Sequence, residues 1–422
     1  MRVYKFGGAS IHNAERFRNT AKIIGAADDQ PLLVVISAMG KTTNALELVA
    51  EAYFKGDGKT ALEKFEVIKQ QHLDMLRELI GDGQFEEGLK ELQHIFTEVE
   101  WLLHDKPVRS YDYYYDQIVC CGELLSTLIV HRLLTFQNIP HEWIDVRDIL
   151  RTDNNFRDAS VDWRFTENTL DEKNIFGNTK LVITQGFIGC TDENESTTLG
   201  REGSDYSAAI FANLLSAESL TIWKDVASVM SADPKLFPDA KPLAQLSFNE
   251  VIEMAFYGAQ VIHPKTIKPL HNKNIPLLVK CFLDPSLPGT AISSMASGSL
   301  PPIIVLKEQQ VLMEFRTKDF SFVEEELVEE LYRIFSQNRV KPNLTQNAAV
   351  SLLCCFDDRK EKTEILASEA SKFFDVSINR GLTLLTVRHY DEQSIRNLIS
   401  GRKILLEQRT PVTAQLVLTA VN

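Results

Sequence analysis

The chain has 422 residues, enough for two or three domains with a full core, and its 44% hydrophobic and 24% charged content is that of an ordinary globular protein. Its net charge of −13 and the lack of a basic stripe argue against nucleic-acid binding, and no uninterrupted apolar run reaches the roughly 18 residues of a membrane helix. The opening Met1-Arg2-Val3-Tyr4-Lys5-Phe6 lacks the apolar core of a signal peptide and reads as a buried strand, so a cytoplasmic location is expected. Six cysteines, at 120, 121, 190, 281, 354 and 355, show no CxxC spacing. They are expected to be small buried hydrophobes in a reducing compartment, with no metal site.

In chain order, short apolar runs at 3–6, 32–37, 181–184, 219–223 and 276–280 predict buried strands, and helical patterns lie between them at 14–24, 44–55 and 117–134. This alternation predicts an α/β layered domain with a mostly parallel sheet. Residues 60–105 place Phe65, Ile68, Leu73, Leu76 and Leu79 near helical spacing, which predicts a helical excursion turning at Gly81-Asp82-Gly83. A linker is expected at 293–302. Beyond it, a strand at 311–315 and a helix at 324–335 are echoed by a strand at 382–387 and a helix near 392–398, suggesting paired small α+β modules.

Five stretches carry candidate chemistry. In Lys5-Phe6-Gly7-Gly8-Ala9-Ser10 a strand meets a double glycine before a helix starting near Asn13. Such a turn brings backbone N–H groups close to a phosphate, and Lys5 could reach a transferring phosphoryl; an ordinary strand–turn–helix connection reads the same. Ser37-Ala38-Met39-Gly40-Lys41-Thr42-Thr43-Asn44 follows the second strand with small and hydroxyl residues suited to an anion pocket, but Val35 stands where a P-loop needs its first glycine. Gly122-Glu123 sets a carboxylate in an apolar helix, either as its polar edge or as a partner for a substrate ammonium. Thr184-Gln185-Gly186-Phe187 leads to Gly200-Arg201-Glu202-Gly203-Ser204-Asp205, where Ser-Asp is expected to open a helix at 206–215. Ser204 or Asp205 could be a plain N-cap; alternatively Arg201 could hold a carboxylate bidentately while Asp205 orients the reacting groups or their Mg²⁺. Trp223-Lys224-Asp225 and Asp233-Pro234-Lys235 could seat a purine and its phosphates, or be a loop.

Taken in order, these stretches resemble aspartate kinases of the amino-acid kinase fold, over the whole of 1–292 and including Asp145-Val146-Arg147, Gly258-Ala259 and His263-Pro264. Residues 303–422 resemble, more loosely, the tandem ACT regulatory region of that family. The resemblance implies an α/β/α sandwich over 1–292, a linker at 293–302 and a C-terminal α+β, ferredoxin-like ACT region at 303–422. It implies transfer of the γ-phosphoryl group of ATP, with Mg²⁺, to the β-carboxylate of aspartate, the first step toward lysine, threonine and methionine. It also implies a homodimer formed through the ACT-like region. By the same resemblance Lys5 and Asp205 are catalytic. Glu123, Arg201, Ser204, Phe187 and Ser37 bind the amino acid. Gly7, Gly8, Ser37, Trp223, Lys224, Asp225 and Lys235 surround the nucleotide along with Lys5. His263 is expected to be structural. The sequence departs from the family at Ala9, Lys224, Ser228, Met230 and Gln260, which bears on the nucleotide contacts. The stretch 318–326, matching the family's effector loop, has no glycine and carries Glu324-Glu325-Glu326, so lysine or threonine inhibition that is weak, altered or absent is expected. A glutamate kinase and a catalytically silent amino-acid sensor are the rival readings.

Overall fold

The computed structural model describes residues 1–27, 30–259, 261–295, 298–319 and 321–419. The chain folds into two compact units: residues 1–229, 242–252 and 261–297 form the first, and residues 230–241, 253–260 and 298–422 the second.

Twelve strands fall in the first part of the chain: β1 (Arg2–Phe6), β2 (Leu32–Ile36), β3 (Glu142–Trp143), β4 (Leu181–Gln185), β5 (Ile188–Cys190), β6 (Ser196–Thr198), β7 (Ser219–Lys224), β8 (Val229–Met230), β9 (Pro242–Leu243), β10 (Gln245–Ser247), β11 (Leu277–Cys281) and β12 (Thr290–Ser293). Eight form one sheet in the order β10-β12-β11-β7-β1-β2-β4-β3, parallel except between β11 and β12. The central strands are apolar on both faces; all five residues of β2, Leu-Leu-Val-Val-Ile, are buried, as a sheet covered by helices on both sides requires. In register, Phe6 pairs with Ile36 and Trp223, and Ile36 with Gln185. The carboxyl ends of β1, β2, β4 and β7 therefore finish level, and the motifs that follow these four strands leave the sheet at that one edge.

The helices of this part are α1 (Ala14–Gly25), α2 (Thr42–Phe54), α3 (Gly58–Ile80), α4 (Asp82–His104), α5 (Tyr111–Val119), α6 (Cys121–Phe136), α7 (Trp163–Lys173), α8 (Gly203–Leu214), α9 (Phe248–Tyr257) and α10 (Pro264–Asn272). Asn13 caps α1 through Arg16 N. The excursion is a hairpin of α3 and α4 turning at Gly81, whose φ of 70° suits glycine. The single helix expected at 117–134 is two, α5 and α6, broken at Cys120. Apolar residues on every face left no periodic signal to mark the break. Together Tyr111–Phe136 have the length and apolarity of a membrane span, but 83% of the most apolar window is buried in the fold. Helix α8 begins at Gly203 behind Glu202, so Ser204 and Asp205 lie inside its first turn and are not N-caps.

The second unit holds β13 (Ile303–Thr317), α11 (Glu325–Gln337), β14 (Leu344–Asn347), β15 (Ser351–Asp357), α12 (Lys360–Ala370), β16 (Phe374–Arg388), α13 (Glu392–Ile399), β17 (Ile404–Arg409) and β18 (Thr413–Thr419). Residues 296, 297, 320 and 420–422, within the expected linker, effector loop and last strand, lie outside the described residues. One antiparallel sheet runs β14-β15-β13-β16-β18-β17. The two expected modules share their central strands. The first half of β13 pairs with the end of β16, the second half with its start, and the register shifts between Lys307 and Gln310. Phe315, Phe335, Phe356 and Phe374 fill the core under α11 and α12, while Leu385, Ile395 and Leu416 pack under α13. Glu325 and Glu326 occupy the first turn of α11, where the helix terminus favours negative charge.

Three histidines are buried neutral. His72 Nδ1 donates to Ile68 O (2.7 Å), and burial pulls its pKa down to about 4. His141 Nδ1 donates to Ile139 O, leaving Nε2 to accept from His131 Nδ1 at 2.8 Å, a bond that is lost when both rings are protonated. Burial lowers both, His131 to about 4. Folded values below unfolded ones mean that stability present above about pH 6.5 is lost as pH falls toward 4, because the unfolded chain takes up the protons first. Chemical unfolding between pH 7 and 4.5 is expected to show this loss, and His72→Leu to flatten it; an equal slope in the variant would contradict the assignment.

Candidate active site

A cavity of about 620 Å³ opens at the carboxyl edge of the parallel sheet, lined by residues from β1, β2, α6, α8 and β7 and the connections that follow the strands. Lys5 reaches it from β1 and is 9% exposed. Its Nζ lies 2.5 Å from Asp205 Oδ1 on α8. Burial alone would raise the Asp205 pKa; the ammonium groups of Lys5 and Lys224 overcome it and hold the carboxyl below its usual range. The floor between β1 and β2 is bare backbone: a Cβ on Gly8 would sit 2.7 Å from Gly40 O. Gly186 is equally constrained, since a Cβ there would meet Ser204 Cβ at 2.7 Å. That closeness is what lets β4 deliver Phe187 beside α8.

Glu123, on α6, is 2% exposed. Its Oε1 accepts from Ala38 N at 3.1 Å, while Oε2 is buried with no hydrogen-bond partner among the described residues. Burial lifts its pKa to about 8, against the lowering pull of Ala38 N–H and Lys5. Ser126 Oγ donates to Ser37 O at 2.7 Å and fixes the loop after β2. Arg201 is exposed and lines the same cavity, with no ion pair among the described residues. Trp223 stacks on Phe6, with centroids 5.9 Å apart and planes 2° apart, and Lys224 Nζ donates to Val261 O at 2.6 Å. Asp225 is exposed at the rim.

Of the expected site residues, Lys5, Gly7, Gly8, Ser37, Glu123, Phe187, Arg201, Ser204, Asp205, Trp223, Lys224 and Asp225 all line this cavity. Lys235 belongs to the second unit and is not among the lining residues; its N–H closes a turn on Asp233 Oδ1. His263 Nδ1 accepts from Lys265 N and caps α10, a structural task. Arg147 pairs with Asp145 at 2.7 Å and is likewise structural. Sequence reasoning passed over Asp116, Tyr115 and Arg157. Asp116, on α5, is fully buried and accepts from Arg157 N (3.0 Å), Thr198 N (2.8 Å) and Thr198 Oγ1 (2.7 Å). It ties the loop bearing Arg157 to the strand facing the cavity, and burial lifts its pKa to about 6. Arg157, Phe187 and Glu202 each hold φ between 54° and 70°, a left-handed backbone that costs non-glycine residues energy. Three such positions around one cavity mark it as a shaped site.

Residues 1–281 match the model of the amino acid kinase family. The chain is 30% identical over 396 residues to the lysine-sensitive aspartokinase 3 of Escherichia coli, covering 91% of this chain and 86% of that enzyme. The chain belongs to the amino acid kinase family, on its aspartokinase branch. The crystal structure of the E. coli aspartokinase III in complex with aspartate and ADP superposes with a TM-score of 0.81 at 26% identity, over 99% of this chain and 96% of that one. A bifunctional aspartokinase/homoserine dehydrogenase of Arabidopsis thaliana is 33% identical over 294 residues, but the chain spans only 32% of its length. The α/β fold and the C-terminal antiparallel sheet are thus those of the aspartokinases.

Proposed function

We propose that this aspartokinase transfers the γ-phosphoryl group of ATP to the β-carboxylate of L-aspartate, giving 4-phospho-L-aspartate and ADP. The observation that carries the reading is the pairing, across one cavity, of a buried carboxylate with a free oxygen (Glu123) and an uncommitted guanidinium (Arg201). An α-amino acid presents the complement, an ammonium and a carboxylate. The β-carboxylate is ionised at neutral pH and attacks without a general base. As its oxygen bonds to the γ-phosphorus, the bond from that phosphorus to the bridging oxygen breaks and ADP leaves. Lys5 neutralises charge on the transferring group, and Asp205 holds the Lys5 ammonium in position. Backbone N–H groups around Gly7, Gly8 and Ser37 cradle phosphate oxygens, with Ser204 and Phe187 bordering the amino acid. Trp223, Lys224 and Asp225 border the nucleotide.

No cluster of three or more His, Cys, Asp or Glu ligands occurs among the described residues. Mg²⁺ would therefore ride on the nucleotide phosphates and water, with Asp205 and Asp225 the nearest carboxylates of the lining, and would supply neutralisation of phosphate charge. The second unit, taken as the ACT-like region 303–422 joined to the kinase domain 1–292 by 293–302, supports a homodimer. The buried free thiols support a reducing, cytoplasmic setting.

ADP release with aspartate, with glutamate and with neither tests the assignment. Aspartate-dependent release, with an acyl phosphate trapped as its hydroxamate, is expected; release driven by glutamate alone would move the chain to the glutamate kinase reading. A second expectation follows from Glu123. At about 8 it is mostly protonated at pH 7, and pairing with the substrate ammonium ionises it. Aspartate binding at pH 7 should release about one proton, and affinity should rise as pH climbs through 8. Calorimetry in buffers of different ionisation heat reads the proton directly, and Glu123→Gln should abolish its release. Proton release persisting in that variant would place the titration elsewhere.

A further inference from the structure

A second concentration of charge lies within the second unit. We propose that the second unit binds a small polyanion of the phosphate class, in a cavity formed by the α11–β14 turn, the β15–α12 connection and Phe256. The cavity measures about 300 Å³ and is lined by five cations, Lys307, Arg339, Lys341, Arg359 and Lys362, against one carboxylate, Asp357. None of the five makes an ion pair among the described residues. Lys307 Nζ instead donates to Asn343 Oδ1 at 2.8 Å, and Lys362 Nζ only reaches Arg339 O at 3.5 Å. Asp357 Oδ1 is already engaged by Gln310 Nε2 (3.0 Å) and Asn343 Nδ2 (2.8 Å), and neighbouring Asp358 pairs with Arg380. In a chain of net charge −13, five cations gathered around one carboxylate are unfavourable unless something more neutralises them.

The backbone points the same way. Helix α12 starts at this cavity, and no side chain caps its first N–H groups. An anion there meets both the exposed donors and the helix field. Burial lowers the pKa of half-buried Lys307, against the opposing pull of Asp357, and Lys341 adds a smaller lowering.

The chemistry excludes the amino-acid ligands expected of this region. An amino acid brings an ammonium, and the only carboxylate here is already bonded. The volume suits a pyrophosphate-sized group and is too small for a whole nucleotide. The site is also separate from the stretch 318–326: Lys307 and Thr317 stand ten positions apart along β13, about 30 Å at strand rise. Phe256, 58% exposed with Lys341 Nζ 5.8 Å from its ring centre, belongs to α9. A ligand in this cavity would therefore touch a helix whose first residues belong to the kinase unit.

Titration calorimetry of the full chain with sodium pyrophosphate tests the site. One saturable event is expected in the wild type and to persist in Lys5→Ala, which removes the cation of the phosphate cradle in the first unit. It should weaken about tenfold or more in Arg339→Ala/Lys341→Ala, since each charge-assisted hydrogen bond lost is worth roughly that factor. Both substituted side chains are exposed, so the fold is kept, and Arg359→Gln, on another connection, should weaken the same event. Citrate should bind at least tenfold more weakly than pyrophosphate. The proposal is overturned by no saturable event in the wild type, by an event that the double variant keeps, by one that Lys5→Ala loses, or by citrate binding equally well.

Discussion

Exchanging Lys5 for alanine is expected to lower kcat by about a thousandfold or more while leaving the protein folded. Lys5 sits one residue before the end of the central strand, so its backbone and register with Val35 and Ile222 do not depend on the side chain. The ammonium is the nearest cation to Asp205, at 2.5 Å, and is nearly buried, where a charge acts on a developing charge with little screening. Removing it withdraws the neutralisation and leaves Asp205 with Lys224 as its remaining cationic influence, so the carboxyl pKa rises. The loss should appear in kcat more than in either KM, because the interaction strengthens as phosphoryl charge moves. Initial rates of ADP release and a thermal melt on the same preparation separate the two effects. A kcat within tenfold of wild type in a folded variant removes Lys5 from the chemistry.

Arg201→Ala is expected to act on the other substrate. Its guanidinium lies open in the empty enzyme, committed to no carboxylate among the described residues, on the connection just before α8. Truncation therefore costs the free protein little, and the effect should fall on binding. Losing one partner of a hydrogen-bonded charge pair typically costs about 2–5 kcal/mol, so kcat/KM for aspartate should drop about a hundredfold, with KM for ATP changed less than threefold. Lysine should rescue only in part, because it offers a point charge where a carboxylate fits a planar fork. Unchanged aspartate kinetics would exclude Arg201 from the substrate contacts.

The strands around the cavity were legible because a parallel strand buried on both faces is an unbroken apolar run, and Leu32 to Ile36 can hardly be anything else. The Gly81 turn was legible because a glycine pair interrupts an amphipathic pattern. The carboxylate of Glu123 and the Lys5 ammonium were visible as charges placed beside apolar stretches. Asp116 and Arg157 were not, since nothing local separates an aspartate in a tyrosine-rich helix from a surface residue. Their roles come from hydrogen bonds spanning 41 and 82 positions. The break at Cys120 was hidden by the uniform apolarity around it. The sharing of β13 and β16 was hidden for a different reason. Alternation along a strand reports which face is buried but not how many partners divide its length. The five cations of the second cavity escaped notice because β13, the α11–β14 turn and the β15–α12 connection bring them together from 55 residues of sequence.

The division of the chain bears on how it can be cut and recombined. Residues 230–241 and 253–260 group with the C-terminal unit although they are threaded through the kinase sequence. A fragment ending near residue 292 would carry these segments without their partners, parting Phe256 from Lys341 and freeing Glu253 from Arg388. Chimeras that graft a regulatory region from a relative at a single junction would face the same mismatch. A transplant respecting the fold exchanges three stretches together, so the natural unit of recombination is a discontinuous one.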